Sequence, residues 1–257
     1  MARNQRQVKR LAKKSLFFYH HLGQTEMGKN LVLFSGGIDS TTALYWSLEQ
    51  DKKTNALTFD YGQTHKVEIR AAQKIAGMLQ IPHKILRLDL KQIGGSALTD
   101  SSIAIPRMRS VSQIQEEIPA TYAPFRNGIF LAMAAAWAET KEITGIVCGF
   151  NVIDSPNYPD TQKAFVDAME SAINAGTKAA SRNTKISIFT PFLNMNKSRI
   201  IEEGLAMEVD YSYSLSCYRG SEIPCLGCSS CLLRQRAWEE IGMKDPLIAR
   251  LEKEGKL

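Results

Sequence analysis

No apolar run in this chain is long enough to span a bilayer. That argues against a helical membrane protein. A secretory leader is also missing: the basic start is followed by Phe17-Phe18-Tyr19-His20-His21 rather than an apolar segment. Together these features predict a cytoplasmic protein. There is no internal repeat and no low-complexity stretch. No Gly-Lys-Ser/Thr closes a glycine loop, and no G-x-G-x-x-G occurs, so neither a P-loop nor a dinucleotide fingerprint is present. Cysteine is scarce outside one cluster. Four of the five lie between 217 and 231, and Cys148 stands alone. Without a secretion signal, that clustering points to a metal rather than to disulfides. Most of the chain also lacks net charge. Residues 1–29 hold seven Lys/Arg against the single acid Glu26, and the remainder holds 25 of each sign. The net +6 therefore belongs to an N-terminal extension.

What is present is ordinary for a globular domain. Hydrophobic content is 44% and charged content 23% in 257 residues, enough to bury a substantial core. In the extension, Val8, Leu11, Ala12 and Tyr19 can share one helical face. Residues 1–29 read as a solvated or partly helical tail, or as an arm on a partner subunit. A nucleic-acid contact through this basic arm, or an addition with no role in the fold, is also open.

From residue 30 the pattern alternates. Strands are expected at Asn30–Phe34, Thr54–Asp60, His83–Leu88, Glu142–Phe150 and Ile186–Phe189. Helices are expected at Asp39–Gln50, His65–Leu79, Arg126–Glu139, Asp160–Ala175 and Lys197–Ala206. Strand and helix in turn predict an α/β fold, a doubly wound parallel sheet of five strands with helices on both faces. Residues 30–210 are read as this domain and 211–257 as a C-terminal metal-binding segment. The irregular stretch Ile93 to Pro124, with Gly94-Gly95, Pro106, Pro119 and Pro124, is expected to be an active-site flap that orders on ligand binding.

Three stretches carry chemistry. The first is Ser35-Gly36-Gly37-Ile38-Asp39-Ser40-Thr41-Thr42, between an apolar strand and a helix. Backbone N–H groups at a helix start favour an anion, two glycines allow close approach, and hydroxyls at Ser35, Ser40 and Thr41 can donate. The second is the group of strand ends. Phe59-Asp60-Tyr61-Gly62-Gln63-Thr64-His65 follows the second strand, and Gly149 to Asp160 the fourth; ligands bind at such ends near the switch in strand order. Asp60 and His65 are read equally well as cap or turn residues. Arg126 opens a helix, where a cation opposes the macrodipole, so an anionic partner is expected there. Asp160 can read a substrate, cap the following helix, or both. The third is Cys217-x7-Cys225-x2-Cys228-x2-Cys231. Four thiolates complete a tetrahedral zinc site with no open position, so a structural Zn²⁺ is expected, with an iron–sulfur cluster as the minor alternative. That segment is expected to contribute few core residues. Cys148 reads as a small buried residue.

The glycine loop resembles the SGGxDS loop of the ATP pyrophosphatases, which implies binding of ATP and cleavage between its α and β phosphates. Taken in order, residues 35–42, 59–63, 126–127, 158–160, 216–218 and 225–234 are similar to the motifs of the 7-cyano-7-deazaguanine synthase family. The resemblance spans about 30–240. It implies an adenine nucleotide alpha hydrolase-like fold, commonly as a homodimer, with Mg²⁺ and Zn²⁺. It also implies a ligase that converts 7-carboxy-7-deazaguanine and ammonia to the nitrile used for queuosine-type nucleosides. The implied nucleotide-binding residues are Phe34, Ser35, Gly36, Gly37, Ile38, Asp39, Ser40, Thr41, Thr42, Ala43, Leu44, Phe59, Tyr61 and Gln63. Ser35, Asp39, Ser40, Arg126 and Lys197 are the candidate catalytic residues, with Lys197 either a cation at the phosphates or a solvated residue at its helix start. Arg126, Asn127, Asp154, Tyr158 and Asp160 are the candidate substrate residues, and Cys217, Cys225, Cys228 and Cys231 the metal ligands. Three features depart from the family pattern: the extension of 1–29, Thr161-Gln162 where Cys-Arg is usual, and Leu226 where a Gly is common. Two other readings stay open: a paralogue acting on a different carboxylate or nucleophile, and a tRNA-modifying pyrophosphatase.

Overall fold

The computed structural model describes residues 29–50, 53–63, 66–106, 118–154, 157–182 and 184–257. The expected helical face of Val8, Leu11, Ala12 and Tyr19, the residue His65 and the middle of the expected flap lie outside the described residues. Five strands form one parallel sheet: β1 (Lys29–Leu33), β2 (Thr54–Asp60), β3 (His83–Arg87), β4 (Ile143–Cys148) and β5 (Ser187–Phe189). Their spatial order is β3-β2-β1-β4-β5. The order reverses between β1 and β4, which pair with Leu33 opposite Cys148. Parallel strands of this kind are covered on both faces, so each strand alternates between two cores. Val32, Ala56 and Val147 enter one core; Leu31, Leu57 and Ile146 enter the other.

The first core is closed by α1 (Ile38–Glu49), α2 (Val67–Met78), α6 (Lys197–Ala206) and α7 (Ser229–Glu240). The second is closed by α3 (Arg126–Lys141) and α4 (Lys163–Gly176). The alanines Ala134, Ala135 and Ala138 are buried against the sheet. A short helix α5 (Ala179–Arg182) precedes β5, and α8 (Pro246–Lys253) ends the fold. Helix α4 begins later than the expected Asp160, because Pro159–Thr161 forms a separate 3₁₀ turn. Among the described residues no helix is long and apolar enough to cross a membrane.

The main difference from the sequence reading lies after Ala206, where the alternation of hydrophobic residues indicated no further helix. In α7 the buried positions are Cys231, Arg234, Ala237 and Trp238. Their helical spacing is hidden because a cysteine and an arginine occupy half of the inward face. The segment is therefore not poor in core residues. Trp238 is 2% exposed and packs edge-on to the fully buried Tyr211, with ring centroids 5.6 Å apart. The Tyr211 hydroxyl lies 2.7 Å from the Thr42 hydroxyl of α1.

Arg234 holds this segment through a buried ion pair. Its Nε and Nη2 donate to the two oxygens of Asp245 at 2.5 and 2.8 Å, and its Nη1 donates to the Ser214 carbonyl at 2.9 Å. Asp245 in turn accepts from the Leu247 N–H and caps α8. Removing one member of such a pair leaves the other charge buried without compensation. Arg234→Ala is expected to lower unfolding free energy by about 3–5 kcal/mol in urea denaturation. Arg234→Met combined with Asp245→Leu is expected to recover most of that loss. An unchanged denaturation midpoint in the single variant would show that the pair does not hold the segment.

Candidate active site

The loop after β1 is built around a helix start without a side-chain cap. Gly37 is the N-cap residue of α1 and makes no side-chain cap hydrogen bond. Its carbonyl is heavily used: it accepts from the Thr41 N–H at 2.9 Å, the Thr41 hydroxyl at 2.8 Å and the Ser40 hydroxyl at 3.1 Å. The Ser35 and Ser40 hydroxyls lie 3.1 Å apart, and Ser35 Oγ accepts from the Gly37 N–H at 3.3 Å. Gly36 has φ +83, and a Cβ there would sit 2.8 Å from the Ala72 nitrogen of α2. The glycine thus permits both the turn and the close approach of α2.

The helix start faces a cavity of about 310 Å³ at the carboxyl ends of β1, β2 and β4. Of the predicted nucleotide residues, Phe34, Ser35, Gly37, Ile38, Asp39, Ser40, Phe59, Tyr61 and Gln63 line it. Gly36, Thr41, Thr42, Ala43 and Leu44 stand behind it. Thr41 and Thr42 are fully buried, with hydroxyls bonded to the Gly37 and Ile38 carbonyls, while Ala43 and Leu44 belong to the core. The Gln63 side chain bonds the Tyr61 N–H and the Phe59 carbonyl, which holds the turn after β2. Beneath the loop, the Thr58 hydroxyl lies 2.5 Å from the Phe34 carbonyl and 2.7 Å from His83 Nε2. Burial holds the His83 pKa below its ordinary value.

Two cations occupy different sides of the cavity. Lys197, expected either at the phosphates or in solvent, is largely buried and donates to Asp39 Oδ2 at 2.5 Å. The other Asp39 oxygen is buried without a partner among the described residues. Arg126 lies over the rings of Tyr61 and Phe130, at 5.7 and 5.8 Å, and its buried Nε is likewise unpartnered. Phe130 stacks on Phe59 at 4.2 Å. Arg126 Nη1 donates to the Tyr61 hydroxyl at 3.4 Å, and the flat faces with the unpartnered Nε suit a planar anion. Burial is also the largest effect on Tyr61, raising its pKa against the opposing pull of Arg126.

The predicted substrate residues separate into two groups. Arg126, Asn127 and Tyr158 line the cavity; Asp154 and Asp160 do not. Asp160 Oδ2 accepts from the Asn127 N–H at 2.9 Å, so it caps α3 rather than the helix that follows it in sequence. Burial raises the Asp160 pKa, and the bonds from Asn127 and the charge of Arg126 oppose that shift. Asp154 instead bonds Asn151 within its own loop. The two described ends of the expected flap meet, with the Ala97 N–H on the Ala120 carbonyl at 2.8 Å. Leu98 and Thr121 from those ends line the cavity, and the Thr121 hydroxyl lies 3.0 Å from that of Tyr158. Thr161 lines the cavity as well.

The sequence reading assigned no role at the cavity to Glu68, Ser216, Tyr218, Ser230 or Leu233, which also line it. Glu68 sits one helical turn past the glutamine turn. The other four come from the C-terminal segment, inside the family-like motifs 216–218 and 225–234, where the cysteines alone pointed to a role. Burial raises the Tyr218 pKa well above its ordinary value.

The sulfur atoms of Cys217, Cys225, Cys228 and Cys231 all lie within 4.8 Å of one another, and all but Cys225 are buried. The Cys225 and Cys231 sulfurs are 4.0 Å apart. That is far beyond a disulfide bond of about 2.05 Å. It is close to the edge of about 3.8 Å of a tetrahedron with Zn–S bonds of about 2.3 Å. The cluster packs with Val67 of α2, Leu215, Leu247 and Leu251. Cys148 lies apart in β4, fully buried, with its pKa raised by burial.

Comparison with known proteins agrees with this arrangement. A family model described as queuosine biosynthesis protein QueC matches residues 29–242. The 7-cyano-7-deazaguanine synthase of Nostoc punctiforme is 38% identical, over 86% of this chain and 99% of its own. That of Desulfatibacillum aliphaticivorans is 41% identical, over 85% and 95%. That of Solidesulfovibrio magneticus is 43% identical, over 85% and 94%. Among solved structures, a 4-thiouridine synthetase in complex with RNA and ATP is 18% identical, with a TM-score of 0.48 over 89% of this chain and 53% of its own. With a matching model across most of its length and relatives matched nearly end to end, the chain belongs to the QueC family of queuosine biosynthesis proteins.

Proposed function

We propose that this chain is an ATP-dependent ligase that makes 7-cyano-7-deazaguanine from 7-carboxy-7-deazaguanine and ammonia. One observation carries the reading. At the switch point of the sheet, one cavity gathers an uncapped helix start, the Lys197–Asp39 pair and the unpartnered Nε of Arg126. Its relatives of 38–43% identity bear the name of that synthase.

A carboxylate is a poor electrophile, so it must be activated. Its oxygen attacks the α-phosphate of ATP, the bond to the β-phosphate breaks, and an acyl-adenylate and pyrophosphate form. Ammonia attacks the carbonyl carbon, a proton is lost from nitrogen, and AMP leaves to give the amide. The amide oxygen then attacks a second ATP in the same way. Loss of both N–H protons and departure of AMP leave the nitrile.

The chain's residues supply position and charge. The first turn of α1 and the Ser35 and Ser40 hydroxyls hold the departing pyrophosphate. Lys197 stabilises the charge that develops on it. Arg126 and the stacked faces of Phe59, Phe130 and Tyr61 orient the flat acid, and Asn127, Tyr158 and Thr161 border it. Mg²⁺ fits beside the unpartnered Asp39 oxygen, since it binds through one or two carboxylates plus phosphates; when bound it offsets polyphosphate charge. The four thiols suit Zn²⁺ in a structural role. The homodimer and the cytoplasmic location rest on the family resemblance and on composition.

Purified protein given the acid, ATP, Mg²⁺ and ammonium is expected to yield the nitrile by mass spectrometry. AMP formation with another acid, and none with this one, would transfer the assignment to a different substrate. Lys197→Met is expected to lower kcat by about 10²-fold; a folded variant within a factor of about two of the parent would remove Lys197 from the chemistry. Metal analysis is expected to find one zinc per chain. Cys231→Ser should lose that zinc and melt several degrees lower, as loss of a structural site costs folding energy. Iron in its place would overturn the zinc assignment.

A further inference from the structure

The function proposed above leaves unexplained why a metal-binding segment closes one wall of the nucleotide cavity. Leu215, two residues before the metal ligand Cys217, donates its backbone N–H to the Gly36 carbonyl at 2.9 Å. That bond brings Ser216 over the phosphate loop. A Cβ on Gly37 would lie 3.0 Å from Ser216 Oγ and 3.5 Å from Ser35 Oγ. Two hydroxyls from opposite ends of the sequence thus flank one point, and a glycine leaves that point open. Both side chains line the cavity, and the Ser216 hydroxyl has no hydrogen-bond partner among the described residues. Ser230 lines the same side, in the first turn of α7 and directly after the ligand Cys228 and Ser229. A half-buried hydroxyl beside an uncapped helix start is a donor aimed at an anion.

We propose that Ser216 is a nucleotide-binding residue: its hydroxyl donates to the triphosphate of ATP from the side opposite Ser35. The four-cysteine site acts as the positioning element, because Cys217 fixes the backbone on which Ser216 is carried. On this view the metal is required for the shape of the phosphate site as well as for the fold of the C-terminal segment. The inference rests on the ATP-dependent reading, and the test separates the two.

The test is titration of the full chain with α,β-methylene-ATP, a form that cannot be cleaved at the bond concerned. Ser216→Ala is expected to weaken binding by about tenfold, as for loss of a hydrogen bond to a charged group. The KM for the carboxylic acid is expected to stay unchanged, and Ser216→Thr should restore nucleotide affinity. Zinc content and melting temperature of each variant, equal to those of the parent, exclude a folding defect. Parent-like nucleotide affinity in a folded, zinc-loaded Ser216→Ala variant would overturn the role of Ser216 alone. Failure of the parent chain to bind the analogue would overturn the ATP-dependent reading and the Ser216 proposal with it. A raised KM for the acid with unchanged nucleotide affinity would also defeat the proposal, moving Ser216 to the acid side.

Discussion

A backbone hydrogen bond from the Leu215 N–H to the Gly36 carbonyl joins the glycine loop to the C-terminal segment. On one side of it lies the loop that heads α1. On the other lies the segment that holds four cysteines. The bond is short-range and modest in net energy, but much depends on where it sits. It places the C-terminal segment at the carboxyl end of the central strand β1, beside the point where α2 packs on Gly36. The absence of a side chain at Gly36 permits the close approach of α2, and Trp238, Tyr211 and the Arg234–Asp245 pair hold the C-terminal segment in place.

The site divides by physical task. Around α1 the groups are small, hydroxylated and backbone-rich, which suits phosphate. Lys197 brings its charge there from a distant helix and is oriented by Asp39. Across the cavity the groups are aromatic and planar, with Arg126 lying on the rings of Tyr61 and Phe130. Asp160 completes this side without touching the cavity. By capping α3 at the Asn127 N–H, it positions both Arg126 and Asn127. Its carboxylate therefore serves the site from behind.

Membership of the QueC family is carried by motifs spread over most of the chain, and the cavity explains their spacing. Residues 35–42, 59–63, 126–127, 158–160 and 216–218 follow different strands or lie beyond the sheet, yet most of their side chains border one space. Thr161, where the sequence departs from the usual pattern, also borders it. The departure is thus located where a substrate would be read.

The sequence by itself determined the order of the strands and of the longer helices up to Ala206, the glycine turn between β1 and α1, and the cluster of four cysteines. Each of these is a local pattern: apolar runs of strand length, a glycine turn between strand and helix, cysteines at turn spacing. It also indicated Arg126, because a cation at a helix start is locally unfavourable. Only the tertiary structure decided that Asp160 caps α3, that Thr41 and Thr42 turn inward, and that Asp154 stays within its loop. It alone revealed α7, whose inward face mixes cysteine, arginine and tryptophan and so lacks an apolar period, and the short α8, which buries only Leu247 and Leu251. It alone brought Ser216 and Tyr218 to the cavity. These outcomes depend on contacts between residues far apart in the chain, and no local spacing encodes which side chain meets which across the sheet.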